Sequence, residues 1–431
     1  MGAIGIIVGL PLLTYALYHL SNKQHHLTWQ VGAFNWAAAA AALPQTWAAF
    51  VATFVTREAA MMFFGWLALS VLLERVLPGD EALGVELADK RGRLAYTMSG
   101  HLQLWVSIVA MGHIVPKFSL DAATNALSFT GFGRVPLELI YTHFASLMFF
   151  AFSFSFVFAV FLYAYSFRSG TQLAKGGNTC SGLYNFFIGR ELNPRIGSLD
   201  LKQFCELRPG LIGWLVINLG MATQQYMVAR SLSASMVLVV AFQGFYVWDA
   251  LYQERAILTT MYITTDGFGF MLAFGDLAWV PFIYTIQARD LVDRDPGLSL
   301  PWLAAIAAVH FLGYYIFRAS NGQKDAFRRD PAAPEVAHLS YLATARGTKL
   351  LTSGWWGAAR KINYTGDWLI TLSWCMLCGF DSPIPYFQAI YFAILLVHRA
   401  ARDDHMCHEK YGDDWLEYKR RVPYVFIPRV I

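Results

Sequence analysis

Ten long apolar stretches divide this chain of 431 residues. A helix that crosses a bilayer needs about 20 consecutive apolar residues, because lipid offers no hydrogen bonds to an unpaired backbone. The stretches lie at 3–20, 31–54, 59–77, 101–116, 137–166, 210–228, 233–251, 257–286, 301–317 and 367–397. Charged residues make up 14% of the chain, against about 25% in an average soluble domain. The pattern predicts an all-α, polytopic integral membrane protein with about ten transmembrane helices.

Three features refine this membrane topology. Pro383 and Pro385 interrupt 367–397, so we expect two antiparallel helices joined by a tight turn there. The first stretch has neither a charged segment before it nor a clear cleavage pattern, and we expect a membrane helix instead of a signal peptide. Basic residues cluster between 318 and 402, which places the late loops on the cytoplasmic side.

Several classes of protein and site find no support in the sequence. The net charge of +4 creates no basic field that would attract nucleic acid. No glycine-rich fingerprint follows a strand, so a bound dinucleotide is not held by a Rossmann fold or a P-loop. The C-x-x-C pair Cys375 and Cys378 lies inside an apolar run, and we interpret it as two buried helix residues. His405 and His408 lack the H-E-x-x-H pattern, so we predict no metal site.

Three segments carry polar residues where membrane sequence should exclude them, and such residues are functional candidates. In 242–282, we expect Tyr246, Asp249 and Glu254 to share one broad helix face. They form either a buried polar network or a substrate cavity with a proton source, and we favour the cavity. The segments 347–367 and 395–428 combine aromatic, basic and acidic side chains, as a site for a planar ring and phosphates would; for 347–367 the alternative is a re-entrant interfacial loop.

Motifs in these and neighbouring segments resemble the sterol reductase family, which includes delta-14, delta-7 and delta-24(28) reductases and the membrane part of the lamin B receptor. The resemblance covers about residues 90–431. The matching motifs are GRELNPRIG (189–197), LDLKQFCELRPGLIGW (199–214), LTTMYITTDGFGFMLAFGDLAWVPF (258–282), GYYIFRASNGQKDAFRRDP (313–331), GWWGAARKINYTGD (354–367) and HRAARDDHMCHEKYGDDWLEYKRRVPY (398–424). The second and third are most similar to the delta-14 branch. Tyr262 departs from the aspartate that the family usually has.

The resemblance implies a ten-helix membrane fold that uses NADPH to reduce a sterol olefin. Residues 1–208 would form N-terminal helices, and 209–431 would form the sterol pocket and the cofactor site. Lys324 and Arg328 would bind the phosphates. The remaining cofactor-binding residues would be Leu351, Trp356, Asn363, Tyr364, Arg399, Asp403, Cys407, His408, Lys410, Tyr411 and Tyr418.

A hydride can reduce an unactivated olefin or a diene only if a proton is added as well, so the site needs an acid. We expect Tyr246 and Asp403 to form this catalytic acid system, since tyrosine alone is a weak acid with a pKa of about 10. A delta-14 reductase is the favoured interpretation. The alternatives are a delta-7 or delta-24(28) reductase, a membrane methyltransferase of the isoprenylcysteine type, and a non-catalytic sterol-binding protein.

The expected partners are a sterol substrate and the membrane. The cofactor site would face the cytoplasm, in the endoplasmic reticulum of a eukaryote or the inner membrane of a bacterium. The oligomeric state does not follow from the sequence.

Overall fold

The computed structural model describes residues 2–21, 27–30, 34–86, 92–113, 115–120, 127–133 and 135–430. The predicted stretches 31–54 and 101–116 lie partly outside these ranges. The chain forms two compact units, Met1–Asp295 and Pro296–Ile431. Each unit is built mainly from helices.

The first unit contains fifteen α-helices among its described residues. They are α1 (Gly2–Leu20), α2 (Trp36–Ala41), α3 (Trp47–Phe54), α4 (Arg57–Val76), α5 (Gly100–His113), α6 (Leu139–Thr142), α7 (Phe144–Tyr165), α8 (Gly182–Ile188), α9 (Leu201–Cys205), α10 (Gly213–Ala229), α11 (Ala234–Tyr252), α12 (Met261–Thr264), α13 (Phe270–Phe274), α14 (Val280–Ile283) and α15 (Ile286–Asp293). Two π-helices, Glu206–Ile212 and Gly275–Trp279, and the 3-10 helix Glu254–Thr259 connect some of them. The apolar stretch 257–286 is therefore not one continuous helix.

Three short antiparallel hairpins accompany these helices, and the all-α prediction did not anticipate them. They pair β1 (Asp80–Glu86) with β2 (Arg93–Met98), β3 (Val115–Leu120) with β4 (Leu127–Gly133), and β5 (Arg195–Ile196) with β6 (Leu199–Asp200). Hydropathy does not reveal short strand pairs of this kind.

The second unit begins with α16 (Leu300–Arg329) and continues through the hairpin of β7 (Tyr341–Ala343) and β8 (Lys349–Leu351). Four helices follow: α17 (Gly354–Ala358), α18 (Ile362–Met376), α19 (Phe387–Tyr411) and α20 (Asp413–Arg421). Pro383 and Pro385 lie between α18 and α19, which confirms the interruption predicted there. A side chain at Gly313 of α16 would lie 2.8 Å from the carbonyl oxygen of Gly366 in α18, so the two helix backbones are in direct contact.

Six helical segments among the described residues are long and apolar enough to cross a membrane. They are Gly2–Leu20, Arg57–Val76, Phe144–Tyr165, Ala234–Tyr252, Phe270–Asp293 and Leu300–Arg329. Many of their apolar side chains are exposed to the outside, as lipid contact requires. The protein is thus a mostly helical protein with membrane-spanning segments, and ten spans remains a prediction.

Candidate functional site

An open cleft in the second unit collects side chains from the end of α16, from β8, and from α17, α19 and α20. The residues that line it are Lys324, Phe327, Arg328, Lys349, Leu350, Leu351, Trp356, Arg360, Lys361, Asp403, Cys407, Tyr411, Trp415 and Tyr418. Five of these side chains are cationic and one is a carboxylate. The cleft therefore favours an anionic ligand that also offers flat apolar surface.

Trp356 forms part of the cleft wall and is fixed on both sides. Its indole N–H donates a hydrogen bond of 2.7 Å to the carbonyl oxygen of Ser320. The ammonium of Lys324 lies 4.0 Å from the centre of its ring, which is a cation–π geometry. This contact holds the end of the lysine side chain at the cleft, where it can meet an anionic group.

The carboxylate of the cleft, Asp403, forms an ion pair with the Lys361 ammonium. One helical turn further along α19, the Cys407 thiol lies 3.9 Å from the same carboxylate oxygen. Burial raises the pKa of this thiol to about 11, and the charge of Asp403 adds to the effect. The thiol is therefore neutral at physiological pH.

The loop that carries Lys361 is held by the segment 422–426. The backbone N–H of Lys361 donates to the carbonyl oxygen of Val425 at 2.7 Å. The Arg360 guanidinium donates to the carbonyl oxygens of Val422 at 2.6 Å and Pro423 at 2.8 Å. These bonds fix the backbone at the cleft edge.

Two aromatic residues of α20 close the cleft from another side. Tyr418 is buried, its hydroxyl lies 3.4 Å from the carbonyl oxygen of Trp356, and burial raises its pKa to about 12. Trp415 donates a hydrogen bond of 2.9 Å to Asp404. Both rings present apolar surface beside the cations, as the binding of a flat ring requires.

The structure brings together eight of the thirteen cofactor residues expected from the family resemblance. Those that line the cleft are Lys324, Arg328, Leu351, Trp356, Asp403, Cys407, Tyr411 and Tyr418. Arg399, His408 and Lys410 lie on α19 but do not line it, and His408 and Lys410 are exposed. Asn363 donates to Asn321 at 3.3 Å, and its own carbonyl oxygen is buried with no hydrogen-bond partner among the described residues. The Lys361 ammonium lies 5.6 Å from the centre of the Tyr364 ring.

Sequence reasoning did not select six of the lining residues: Phe327, Lys349, Leu350, Arg360, Lys361 and Trp415. The basic pair Arg360 and Lys361 is visible in GWWGAARKINYTGD. Basic residues beside a membrane helix usually set topology, so Arg360 and Lys361 gave no clear functional signal. The partner of Lys361 is Asp403, which is 42 residues away in sequence.

The polar segment of the first unit divides into two parts. Tyr246 lies on α11, half-buried, with its ring 6.1 Å from that of Trp214. Asp249 lies on the same helix and is buried. Glu254 does not share their helix, and that prediction was wrong. Because α11 ends at Tyr252, Glu254 belongs to the following 3-10 helix.

Glu254 is a member of a buried ion-pair network. The Arg208 guanidinium lies 2.7 Å from Glu254 and 2.7 Å from Glu74, and all three side chains are at most 8% exposed. Glu254 also accepts hydrogen bonds from the backbone N–H of Gly100 at 2.8 Å and from Gln203 at 3.0 Å. For Glu254, the structure therefore favours the buried network over the substrate cavity.

Tyr262, which replaces the expected aspartate, lies in a second buried network. Its hydroxyl lies 2.6 Å from Asp276. The Lys202 ammonium donates to the carbonyl oxygens of Tyr262 at 2.6 Å and Asp266 at 2.7 Å. The departure from the family pattern is thus accommodated by an internal hydrogen bond.

Comparisons with known proteins agree with the motifs. The delta(14)-sterol reductase erg24 of Schizosaccharomyces pombe is 46% identical over 375 residues, which cover 87% of this chain and 85% of the relative. The delta(14)-sterol reductase of Methylotuvimicrobium alcaliphilum is 40% identical over 426 residues, covering 99% and 93%. The delta(14)-sterol reductase LBR of Gallus gallus is 45% identical over 369 residues, covering 85% and 55%.

The predicted family is confirmed by a match of a family model, described as the ergosterol biosynthesis ERG4/ERG24 family, to residues 1–431. With this match over its whole length and relatives at this level of identity, the chain belongs to the ERG4/ERG24 family of ergosterol biosynthesis.

Proposed function

We propose that this protein is a delta(14)-sterol reductase, which reduces the double bond between carbons 14 and 15 of a sterol intermediate with NADPH. The substrate assignment is supported by the similarity of almost the entire chain to relatives that bear this name. The cofactor assignment is supported by the cleft of the second unit, in which cationic and aromatic side chains converge.

The residues of the cleft fit a phosphorylated dinucleotide. Lys324 and Arg328 would bind its phosphates, including the 2′-phosphate, because an ammonium and a guanidinium form strong charge-assisted hydrogen bonds to phosphate oxygens. Leu351 and Trp356 would contact a flat ring. The buried, unpaired carbonyl oxygen of Asn363 would accept from a donor such as a carboxamide. NADPH, when bound, supplies the hydride.

The protein's own contribution to the chemistry is the proton. A sterol diene has no electron-withdrawing group and does not accept a hydride directly, so protonation at carbon 15 must leave a cation at carbon 14 for the hydride to neutralise. Tyr246 and Asp403 act as the acid system, since a phenol with a pKa of about 10 needs a partner to deliver a proton at neutral pH. The apolar side chains around a steroid ring would exclude water from the cation.

The chain crosses the membrane about ten times, with the cofactor cleft on the cytoplasmic side. Residues 209–431 supply the sterol pocket and the NADPH site, and 1–208 supply further membrane helices. The basic residues at the end of α16, Arg328 and Arg329, support this orientation by the positive-inside rule. The membrane is that of the endoplasmic reticulum in a eukaryote and the inner membrane in a bacterium.

The direct test is turnover by purified protein of a sterol 8,14-diene with NADPH, followed by mass spectrometry beside delta-7 and delta-24(28) substrates. We expect reduction of the 8,14-diene alone. Reduction of one of the other olefins instead would reassign the position of the reaction. Binding of NADPH without reduction of any sterol would refute the substrate class while leaving the cofactor site intact.

A matched pair of variants tests the phosphate contact. Arg328 lines the cleft, whereas its neighbour Arg329 is 77% exposed and forms an ion pair with Asp325. Arg328→Met should weaken NADPH binding by about 10- to 100-fold, the value of one hydrogen bond to a charged group, and weaken NADH binding much less. Arg329→Met should change neither affinity. Equal losses for NADPH and NADH in Arg328→Met would contradict a contact with the 2′-phosphate.

Two substitutions test the acid system. Tyr246→Phe and Asp403→Ala should preserve the fold, measured by gel filtration and circular dichroism, and abolish sterol reduction. Full activity in both variants would exclude these residues as the proton source.

A further inference from the structure

The ion pair between Lys361 and Asp403 conflicts with the role of an acid. A carboxylate beside an ammonium is held in its ionised form, and an ionised carboxylate has no proton to give. If Asp403 belongs to the acid system, a change in its surroundings must protonate it before the sterol reacts.

The charges around Asp403 show what that change can be. Asp403 is the one carboxylate among the described residues that line the cleft. The other ionisable groups that line the cleft come from α16, β8, the loop before α18, α19 itself and α20: Lys324, Arg328, Lys349, Arg360, Lys361, Cys407, Tyr411 and Tyr418. Every ionised group in this set other than Asp403 is positive. An incoming anion would supply the negative charge that the other cleft-lining groups lack, and would thereby favour protonation of Asp403.

Lys361 can respond to such an anion because only its side chain would have to move. Its backbone is fixed by the hydrogen bond to Val425, and its side chain is 15% exposed at the cleft. An ammonium on a flexible four-carbon chain can exchange a carboxylate for a phosphate within the same cleft. The Asp403 carboxylate would then lose its cationic partner and gain a negative neighbour.

We propose that cofactor binding loads the acid: the phosphates of NADPH compete with Asp403 for Lys361, and Asp403 takes up one proton from solvent. The inference rests on the proposed function and adds to it a role for Lys361 as a positioning residue. The step consumes one proton and breaks no covalent bond. The sterol then receives that proton. The acid is therefore protonated and ready to react only when the hydride donor is bound.

The experiment measures protons directly. NADPH, without sterol, is titrated into the full-length protein in a calorimeter, in two buffers of different ionisation enthalpy and at several pH values. Wild type should take up about one proton per NADPH at the pH of maximal uptake. Uptake should vanish at low pH, where free protein and complex are both protonated, and at high pH, where neither is.

Four variants assign the proton. Asp403→Asn should remove the uptake, and the difference from wild type cancels protons released by the 2′-phosphate itself. Lys361→Met should reduce the uptake by more than half because Asp403 loses its ion pair already in the free protein, while Lys361→Arg should retain it. Lys349→Met is the control, because Lys349 lines the cleft but stacks on Tyr341 at 4.6 Å. It should weaken binding and leave the proton count unchanged.

The outcomes separate this inference from the function on which it rests. Absence of any NADPH binding to wild type would refute the cofactor assignment, and with it the inference. NADPH binding with the same proton count in wild type and Asp403→Asn would refute the loading of Asp403 alone. If Asp403→Asn does not bind NADPH, the Lys361 variants decide: equal uptake in Lys361→Met and wild type overturns the proposal.

Discussion

Replacing Arg208 with methionine should lower the free energy of unfolding far more than replacing an exposed charged residue. Arg208 is 1% exposed and lies 2.7 Å from both Glu74 and Glu254, which are 8% and 4% exposed. Methionine fills a similar volume but leaves two carboxylates buried together without a cation. Loss of one partner from a buried ion pair costs roughly 3–5 kcal/mol.

The remaining contacts of the two carboxylates place the expected loss at the lower end of that range. Glu254 keeps the hydrogen bonds from Gly100 and Gln203, and Glu74 keeps one of 3.0 Å from Ser99. Each satisfies part of a carboxylate's hydrogen-bonding capacity. We therefore expect a loss of about 3 kcal/mol in the free energy of unfolding.

The matched control is Arg255→Met. Arg255 also pairs with an acid, Asp80, at 3.1 Å, but their side chains are 65% and 81% exposed. Exposed pairs contribute about 0–1 kcal/mol, so this variant should unfold like wild type. The assay is equilibrium unfolding in mixed micelles, with tryptophan fluorescence as the probe.

Equal stability of Arg208→Met and Arg255→Met would refute the reasoning. It would mean that the network of Arg208 is hydrated or rearranges at little cost.

Two further predictions concern the second unit. A side chain at Gly366 would lie 2.6 Å from the backbone nitrogen of Phe317, so Gly366→Ala should separate α16 from α18 and cost about 1–3 kcal/mol in the same unfolding assay; wild-type stability would show that the helices can shift freely. Partial burial raises the pKa of Cys407 to about 11, so this thiol should be alkylated at pH 8 far more slowly than that of the exposed Cys180, and its rate should rise about tenfold per pH unit up to 11. Rapid labelling of Cys407 at pH 8, read by peptide mass spectrometry, would contradict the raised pKa.

The ends of the regular membrane helices could be predicted closely from sequence. The stretch 233–251 corresponds to α11 (Ala234–Tyr252), and 3–20 to α1 (Gly2–Leu20). The reason is local: at the start of α11, the Ser233 hydroxyl accepts a hydrogen bond from the Met236 N–H, as an N-cap residue does. Where an apolar run and a capping residue coincide, hydropathy and hydrogen bonding give the same boundary.

Helix irregularities could not be predicted in the same way. The stretch 210–228 is preceded by the π-helix Glu206–Ile212, which contains Pro209, and 137–166 divides into α6 and α7 at His143. A proline has no N–H for the usual helical bond, but whether the chain then stops, kinks or widens depends on what packs against it. That information lies in distant segments and not in the local pattern.

The same limit explains the site. The resemblance to family motifs brought out Lys324, Trp356 and Asp403 as cofactor-binding residues. The motifs did not reveal the pairing of Asp403 with Lys361, which depends on the contact between α18 and α19 and on the segment 422–426 that holds the loop. Motifs identify residue types, whereas the partner of each charge is decided by packing.

Partners also distinguish a structural polar residue from a functional one. Glu254 looked functional because it stands in membrane sequence, yet Arg208, Gly100 and Gln203 already occupy its oxygens, which leaves little capacity for a ligand. The cationic partner of Asp403 is Lys361, which lines an open cleft. In the proposal above, Lys361 can exchange the Asp403 carboxylate for the anion of a ligand. A buried charge whose partners all belong to the protein interior stabilises the fold. A charge whose partner can bind a ligand instead couples ligand binding to protonation. On this criterion, we propose that the chemistry of the second unit depends on Asp403 and Lys361, whereas the carboxylates around Arg208 stabilise the first unit.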